Sequence, residues 1–321
     1  MVNPSKKILL SGVKPTGRPH LGNYFGAMKQ FVDLQNDCES FLFIADYHAL
    51  TTLRNSKQMS PAILDVALDY LAIGLDPEKV TLFKQSDVPE VTELAWIFNC
   101  VTTVPYLERA HAYKDAVAKG KEVSVGTFNY PLLMAADILI QDADVVPVGQ
   151  DQKQHVEIAR DTAEKFNRIF GEAFKLPEPL ILSEVATVPG IDGQKMSKSY
   201  GNTIPLFSTD DEIRKLVMSI VTDSGAGVPK NVYAIHALLN DKESLDRLYE
   251  EKAGKYKDLK EALIEDLIAF ISPLRQRRNE LVKDRAFVME TLKKGGDVAR
   301  GRAMQKMRNV RQLLGVDFFR V

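Results

Sequence analysis

The sequence predicts an α/β protein over roughly its first 205 residues and an all-α one after them. Three observations carry this expectation. Short apolar runs closed by glycine or polar residues alternate with segments whose apolar residues recur every three or four positions, the pattern of parallel strands joined by helices. Beyond residue 205 the short runs stop and only helical spacing remains. With 321 residues, 45% hydrophobic and 26% charged, the chain is long enough for one large core and a second domain, and its composition is that of an ordinary globular protein.

The first strand is the run at 7–10, closed by Ser11 and Gly12. Tyr24, Met28, Phe31 and Gln35 then mark a helix starting near Gly22, so His20, Gly22 and Asn23 stand at a helix N-terminus, where free N–H groups favour an anion. A second strand at 40–45 leads into Asp46, Tyr47 and His48. Ser60 and Pro61 read as the cap and first position of a helix that Gly74 closes. A third strand at 80–83 ends in Lys84, Gln85 and Ser86. Residues 88–140 break the alternation with helical patterns at 91–104 and 130–140, which predicts an insertion. The strand at 143–148 follows, with Gly149, Gln150, Asp151 and Gln152 at its carboxyl end and a helix at 154–166 behind them. Right-handed crossovers gather ligands at the carboxyl ends of such strands, so residues 1–205 are expected to form a Rossmann-like domain.

In the second part, Thr209, Asp210, Asp211 and Glu212 form a capping box for a helix reaching Val221. Helices are expected at 232–239, 244–251 and 256 to about 277, within a helical domain at 206–296. Gly295 and Gly296 are expected to set off a last helix at 298–314, with 297–321 packing back on the first domain.

The N-terminus has no signal-peptide pattern and no apolar run is long enough to cross a bilayer, which points to a cytoplasmic protein that does not engage membranes. Cys38 and Cys100 are the only cysteines, too few for a disulfide framework or a four-thiolate zinc site. The net charge is −1, but residues 271–321 hold thirteen Lys or Arg against five Asp or Glu. That excess suits a localised phosphate-backbone contact, or else the wet face of a helix.

Two segments carry the chemistry. Gly193-Gln194-Lys195-Met196-Ser197-Lys198-Ser199-Tyr200-Gly201-Asn202 interleaves cationic and hydroxyl donors between two glycines, which suits a polyphosphate but, taken alone, equally a solvated basic turn. Far upstream stands Pro15-Thr16-Gly17-Arg18-Pro19-His20-Leu21-Gly22-Asn23. Together they resemble the KMSKS element (Lys195 to Ser199) and the HIGH-type element (His20 to Asn23) of class I aminoacyl-tRNA synthetases. Further stretches, Asp46-Tyr47-His48-Ala49, Leu107-Glu108-Arg109, Tyr130-Pro131, Leu133-Met134-Ala135-Ala136-Asp137-Ile138-Leu139 and Val146-Pro147-Val148-Gly149, extend the resemblance over most of the chain and are similar to the tryptophanyl-tRNA synthetase family.

That resemblance implies ATP as a substrate, with Mg²⁺ bridging its phosphates and no metal cluster in the protein. It implies that His20, Lys195 and Lys198 cancel charge on the phosphates, with Asn23 and Ser197 adding hydrogen bonds. Lys14, Thr16, Gly22, Gly149, Asp151 and Met196 would also line the nucleotide site. Asp137 would accept the indole N–H of L-tryptophan, a donor that only an acceptor can read. Met134, Val146 and Val148 would wall the ring, Tyr130 and Gln152 would hold the α-ammonium, Leu10 and Gly12 would pass close to the substrate, and His48 would shape the pocket. Plain core packing is the alternative for Met134 and the two valines.

Three places depart from the family's pattern. Lys14 replaces a common glutamine and could reach the ATP phosphates or clamp the backbone. Gln150 stands where Glu is common, and Ala112 and Ala116 replace polar or cationic residues near Lys114. The resemblance further implies tRNA(Trp) as partner, its anticodon read by the helical domain with Arg275, Arg277, Arg278 and Lys283 as candidates. It also implies a homodimer meeting through the insertion, where the apolar helix at 91–104 that contains Trp96 is the expected surface, with ordinary core packing as the alternative. The rivals are a tyrosyl-tRNA synthetase, which would need polar groups where residues 132–136 are apolar, and a noncatalytic RNA- or tryptophan-binding relative, which would have lost the signatures that stand here.

Overall fold

Five strands form one parallel sheet, β1 (Ile8–Val13), β2 (Glu39–Ile44), β3 (Val80–Lys84), β4 (Val145–Val148) and β5 (Glu178–Ile181), in the order β3-β2-β1-β4-β5. The computed structural model describes residues 6–118, 120, 122–149, 153–181, 188–222 and 227–317. Strand order reverses between β1 and β4, which opens a crevice at their carboxyl ends. Edge strand β5 is invisible in the sequence because Pro177 and Pro179 break its pattern; at a sheet edge the missing N–H of Pro179 costs no ladder bond.

A helical segment follows β1: α1 (Leu21–Asn23), a π-helical turn (Tyr24–Met28) and α2 (Lys29–Leu34). After β2 come the short α3 (Asp46–Ala49) and α4 (Ser56–Ala72). The cap of α4 is Asn55, whose side chain accepts from the Lys57 N–H at 3.0 Å, so Ser60 and Pro61 lie inside the helix rather than opening it. Between β3 and β4 stand α5 (Glu90–Val101), α6 (Val104–Leu107), α7 (His111–Ala118) and α8 (Val125–Ile140). Helix α9 (Lys153–Phe170) connects β4 to β5. The second half is helical: α10 (Asp210–Met218), α11 (Lys230–His236), α12 (Lys242–Glu251), α13 (Tyr256–Lys283) and α14 (Arg285–Leu314). The capping box of α10 closes both ways, Thr209 N–H to Glu212 at 2.9 Å and Glu212 N–H to Thr209 at 3.2 Å, although the helix stops at Met218 and not at Val221.

The two faces of the sheet bury separate sets of side chains, as alternation along a strand requires. Leu10, Phe41, Phe43, Val146 and Val148 pack under α5, α8, α9 and the distal half of α14. Leu9, Leu42, Ile44, Val80 and Leu82 pack under α2 and α4. That second core continues without a break into α10, α11 and α13 through Ile213, Val217, Val232, Leu263, Leu267 and Ile271. Each fully buried Leu or Ile contributes about 1.5–3 kcal/mol, so the helical half is welded to the sheet and not strung from it.

Helix α14 departs from the expectation of a break at Gly295-Gly296. It runs straight through them because it crosses β3 almost in backbone contact: a Cβ on Gly295 would lie 1.9 Å from the Leu82 carbonyl oxygen, and one on Gly296 would lie 2.9 Å from Asp87 Cβ. The glycines are there for proximity. Ion pairs then fasten the helix, Arg300 to Glu90, Arg302 to Glu39, Lys306 to Asp142 and Arg311 to Glu93.

Candidate active site

The two signature segments, some 175 residues apart in the chain, meet in space. His20 ends the loop after β1 with its backbone N–H donating to Asn23 Oδ1 at 3.1 Å, while Leu21 N–H bonds the Ile204 carbonyl at 3.0 Å and Leu206 N–H the Pro19 carbonyl at 2.9 Å. Those last two bonds stitch the histidine turn to the exit of the lysine-serine loop. A Cβ on Gly22 would press on the His20 ring at 3.0 Å and on Met196 at 3.4 Å, so this glycine keeps the two segments in contact. Lys198 Nζ donates to the carbonyls of Thr16 at 2.8 Å and Gly17 at 2.9 Å. The ammonium thus rests on the rim of the histidine turn.

His20 is buried, and its Nδ1 has no partner in the protein. A buried polar atom without a partner calls for an explanation, and this one lies against the first turn of α1, within 3.0 Å of where a Cβ on Gly22 would stand. Burial, and then the charge of Lys198, lower its pKa to about 4, so the ring is neutral at physiological pH. Burial also lowers the pKa of Lys198 itself.

The loop is braced from beneath by Asn202, a residue the sequence reading left without a role. It is buried, accepts from Ser197 N–H at 2.8 Å, and donates to Asp192 at 2.7 Å and to the Lys195 carbonyl at 3.2 Å. Gly190 has no room for a side chain against it, since a Cβ would stand 2.3 Å from the Asn202 amide. Ser197 caps the short 3-10 turn Lys198–Tyr200 and lies 2.8 Å from Ser199 Oγ, and Gly201 ends that turn at φ 65°, in the left-handed region. Met196 is buried, whereas Lys195 stays exposed on the loop and only Lys198 reaches the histidine turn.

Beside this crevice lies a buried polar cluster. Asp137, on α8, is 4% exposed and receives His48 Nε2 at 2.9 Å and Gln85 Nε2 at 2.9 Å on both oxygens. Burial raises the pKa of Asp137, while the hydrogen bonds and charge of His48 and the bond from Gln85 oppose the shift. Its two donors arrive from the carboxyl ends of β2 and β3. Asp46 ties those ends together by accepting from Ser86 N–H at 3.0 Å and Ser86 Oγ at 2.5 Å. Gln85 was not singled out in the sequence; the available signal was its place directly after a strand of a parallel sheet.

The remaining expected residues divide. Leu10, Val146 and Val148 are fully buried and Met134 half-buried, all in the core between the sheet and α8. Gly12 is needed for packing: a Cβ there would stand 2.4 Å from the Phe43 ring. Tyr130 meets the His48 ring edge-on at 6.2 Å and bonds His155 Nε2 through its hydroxyl at 2.6 Å. Lys14 Nζ lies 5.9 Å above the Tyr130 ring, on the side of Asp137's helix, and burial lowers its pKa. Gly149 is exposed at the end of β4, across the crevice from the histidine turn. Gln150, Asp151 and Gln152 lie outside the described residues.

Two of the four cations expected to meet an anticodon, Arg275 and Arg278, are engaged inside the protein. Arg278 binds Asp69 at 2.6 Å and Asp65 at 2.7 Å and lies over the Phe207 ring, while Arg275 binds Asp210 at 2.7 Å and the Ser208 carbonyl. Both hold α13 against α4 and α10 instead of facing solvent. With the four on α14, six of the thirteen cations in residues 271–321 are spent on internal ion pairs. Arg277 and Lys283 are exposed. Net charge along the chain could not reveal this, because the acidic partners are remote in sequence.

The family described as tRNA synthetases class I (W and Y) matches residues 3–271. A tryptophan–tRNA ligase of Fusobacterium nucleatum is 49% identical over 316 residues, covering 96% of this chain and 97% of the relative. The crystal structure of tryptophanyl-tRNA synthetase from Campylobacter jejuni, complexed with ADP and tryptophan, is 45% identical and superposes with a TM-score of 0.90 over 96% of this chain and 99% of that one. A tyrosyl-tRNA synthetase from Archaeoglobus fulgidus shares the fold at 20% identity and a TM-score of 0.65. With both signature turns meeting at the sheet's switch point and these relatives matching nearly end to end, the chain belongs to the tryptophanyl-tRNA synthetases, within the class I family that joins the tryptophan and tyrosine enzymes.

Proposed function

We propose that this protein activates L-tryptophan with ATP, giving tryptophanyl-adenylate and pyrophosphate, and then transfers the amino acid to tRNA(Trp). The observation that carries the substrate is Asp137, a buried acceptor beside the converged turns. The indole ring presents one donor and no acceptor, so a side chain that only accepts reads it, and an analogue without the N–H leaves that acceptor unpaired.

In the first step the tryptophan carboxylate attacks the α-phosphate, and pyrophosphate leaves with the electron pair. Two anions must meet, so catalysis is positioning plus cancellation of charge as it moves onto the β-phosphate. His20, neutral, would donate a ring N–H to a phosphate oxygen. Lys198 leaves the Thr16 and Gly17 carbonyls for the phosphates, and Lys195 on the same loop joins it. Lys14, its ammonium 5.9 Å above the Tyr130 ring, would reach the ATP phosphates from the Asp137 side of the crevice. In the second step a terminal ribose hydroxyl of the tRNA attacks the mixed anhydride and releases AMP. Magnesium would be held chiefly by the nucleotide's own phosphate oxygens and by water, while the crevice's cations and hydroxyls serve the remaining phosphate charge.

The domain reading follows the same lines. Residues 206–296 would read the anticodon, with Arg277 and Lys283 as the cations left exposed for it. Self-association through α5 is supported by its geometry: Val91, Leu94, Ala95 and Phe98 face the core, while Trp96 at 69% and Cys100 point outward with Val104 beside them. No helix among the described residues is long and apolar enough to cross a membrane, and a cytoplasmic enzyme is the reading that goes with tRNA charging. Pyrophosphate exchange with tryptophan and tyrosine tested separately decides the substrate. Exchange with tryptophan alone is expected; exchange with tyrosine alone would overturn the reading.

A further inference from the structure

We propose that Gln85 is a specificity-determining positioning residue: it locks the Asp137 carboxylate as an acceptor with one vacancy and aims that vacancy at the ring N–H of the amino acid. The inference rests on the tryptophan reading above and adds a residue to it.

The amide of Gln85 has no freedom to turn. It is 1% exposed, and its Oε1 accepts from Tyr47 N–H at 3.1 Å and His48 N–H at 3.3 Å, two amides in the first turn of α3. Those two backbone donors fix which end of the amide is oxygen, so Nε2 must face α8, where it lies 2.9 Å from each oxygen of Asp137. A flipped amide would set oxygen against carboxylate and NH₂ against N–H. The orientation is therefore dictated by main chain, not by the side chains it serves.

Asp137 gains two things from this. The first is direction. A carboxylate has about four acceptor positions. Oδ2 takes both His48 and Gln85, Oδ1 takes Gln85 alone, and the plane of the group is set by the shared donor. Capacity remains chiefly on Oδ1. The second is polarity. Among the described residues, the titratable groups around this cluster are His48 and Asp46 after β2, Tyr130 on the same helix, and Lys14 above the Tyr130 ring. Burial and Asp46 favour a protonated acid, which could donate and would no longer discriminate, whereas the Gln85 and His48 donors favour the carboxylate. Gln85 is uncharged and held by backbone, so it gives this support at every pH.

The test compares wild type with Gln85→Met and Gln85→Glu in pyrophosphate exchange, using tryptophan and 3-(benzothiophen-3-yl)alanine, a near-isostere whose sulfur replaces the ring N–H. Gln85→Met should raise the tryptophan KM about tenfold or more, the size of one lost charge-assisted bond, with kcat changed less than about threefold. The analogue makes no such bond, so its KM should move far less and discrimination should collapse. Gln85→Glu keeps the oxygen that Tyr47 and His48 require, which protects the fold if the methionine variant fails. It sets two carboxylates together, so its KM defect should be large at about pH 8 and shrink towards about pH 6, as a shared proton restores a donor. Equal KM changes for both amino acids, a loss confined to kcat, or a defect of Gln85→Glu that ignores pH would each overturn the role of Gln85. Wild-type exchange with tyrosine and not tryptophan would instead overturn the reading beneath it.

Discussion

Acid should weaken this protein through His20, by an amount the structure allows to be worked out. The imidazole is 6% exposed, and its pKa is lowered to about 4 from 6.5, first by burial and then by Lys198. Between those values the unfolded chain binds a proton at this position and the folded chain does not. The stability held in the neutral ring is complete above about 6.5 and drains as the pH falls through about 4. At about pH 5 the unfolded histidine is almost fully protonated and the folded one about a tenth so, which makes the loss at most about 2 kcal/mol. The assay is urea unfolding of wild type and His20→Asn, a side chain that does not titrate, at about pH 7.5 and about pH 5. Asp69 works the other way, since burial raises its carboxyl to about 6 despite Arg278, and its contribution fades as the pH rises; being common to both proteins, it cancels in the difference. Wild type should lose up to about 2 kcal/mol more than the variant on acidification. Equal losses would refute the neutral, desolvated histidine and with it the account of the waiting ring nitrogen.

Replacing Lys198 with Met should lower kcat for adenylate formation about 100- to 1,000-fold while the tryptophan KM stays within about threefold; a kcat near wild type in pyrophosphate exchange would remove the lysine from the reaction. Gly295→Ala should destabilise the protein by about 1–3 kcal/mol, since a Cβ 1.9 Å from the Leu82 carbonyl forces α14 off β3, outweighing the roughly 1 kcal/mol that alanine gains in helix propensity. Thermal or urea unfolding more favourable than wild type would contradict that contact. Trp96→Glu should weaken self-association at least about tenfold in sedimentation equilibrium, because an exposed tryptophan is the natural anchor of an interface and a charge there is not; unaltered association would move the interface elsewhere. Charge removal at Arg277 and Lys283 should reduce tRNA charging and leave adenylate formation intact, as read by aminoacylation beside pyrophosphate exchange.

Much of this was legible along the chain because it is local. Apolar runs closed by glycine or polar residues marked β1 to β4, the reciprocal Thr209 and Glu212 pair marked α10, and the spacing of apolar residues marked α5, α8 and α9. β5 was missed because two prolines erase a strand's signature without preventing an edge position. Gly295 and Gly296 were misread as a break because a glycine that ends a helix and a glycine that lets a helix touch a strand are the same letter. The charge excess of the last fifty residues was real, but six of its cations answer carboxylates that are distant in sequence and adjacent in space.

The sequence by itself determined the chemistry available: a histidine turn, a lysine-serine loop, and one aspartate set in an apolar helix. Only the tertiary structure decided how they are used. It brought Lys198 onto the Thr16 and Gly17 carbonyls, buried His20 with its Nδ1 unpartnered, and turned Gln85 towards Asp137 through two backbone amides of another element. The physical reason is that burial, pKa and hydrogen-bond direction belong to neighbours in space, and those neighbours are chosen by the packing of the sheet and not by order along the chain.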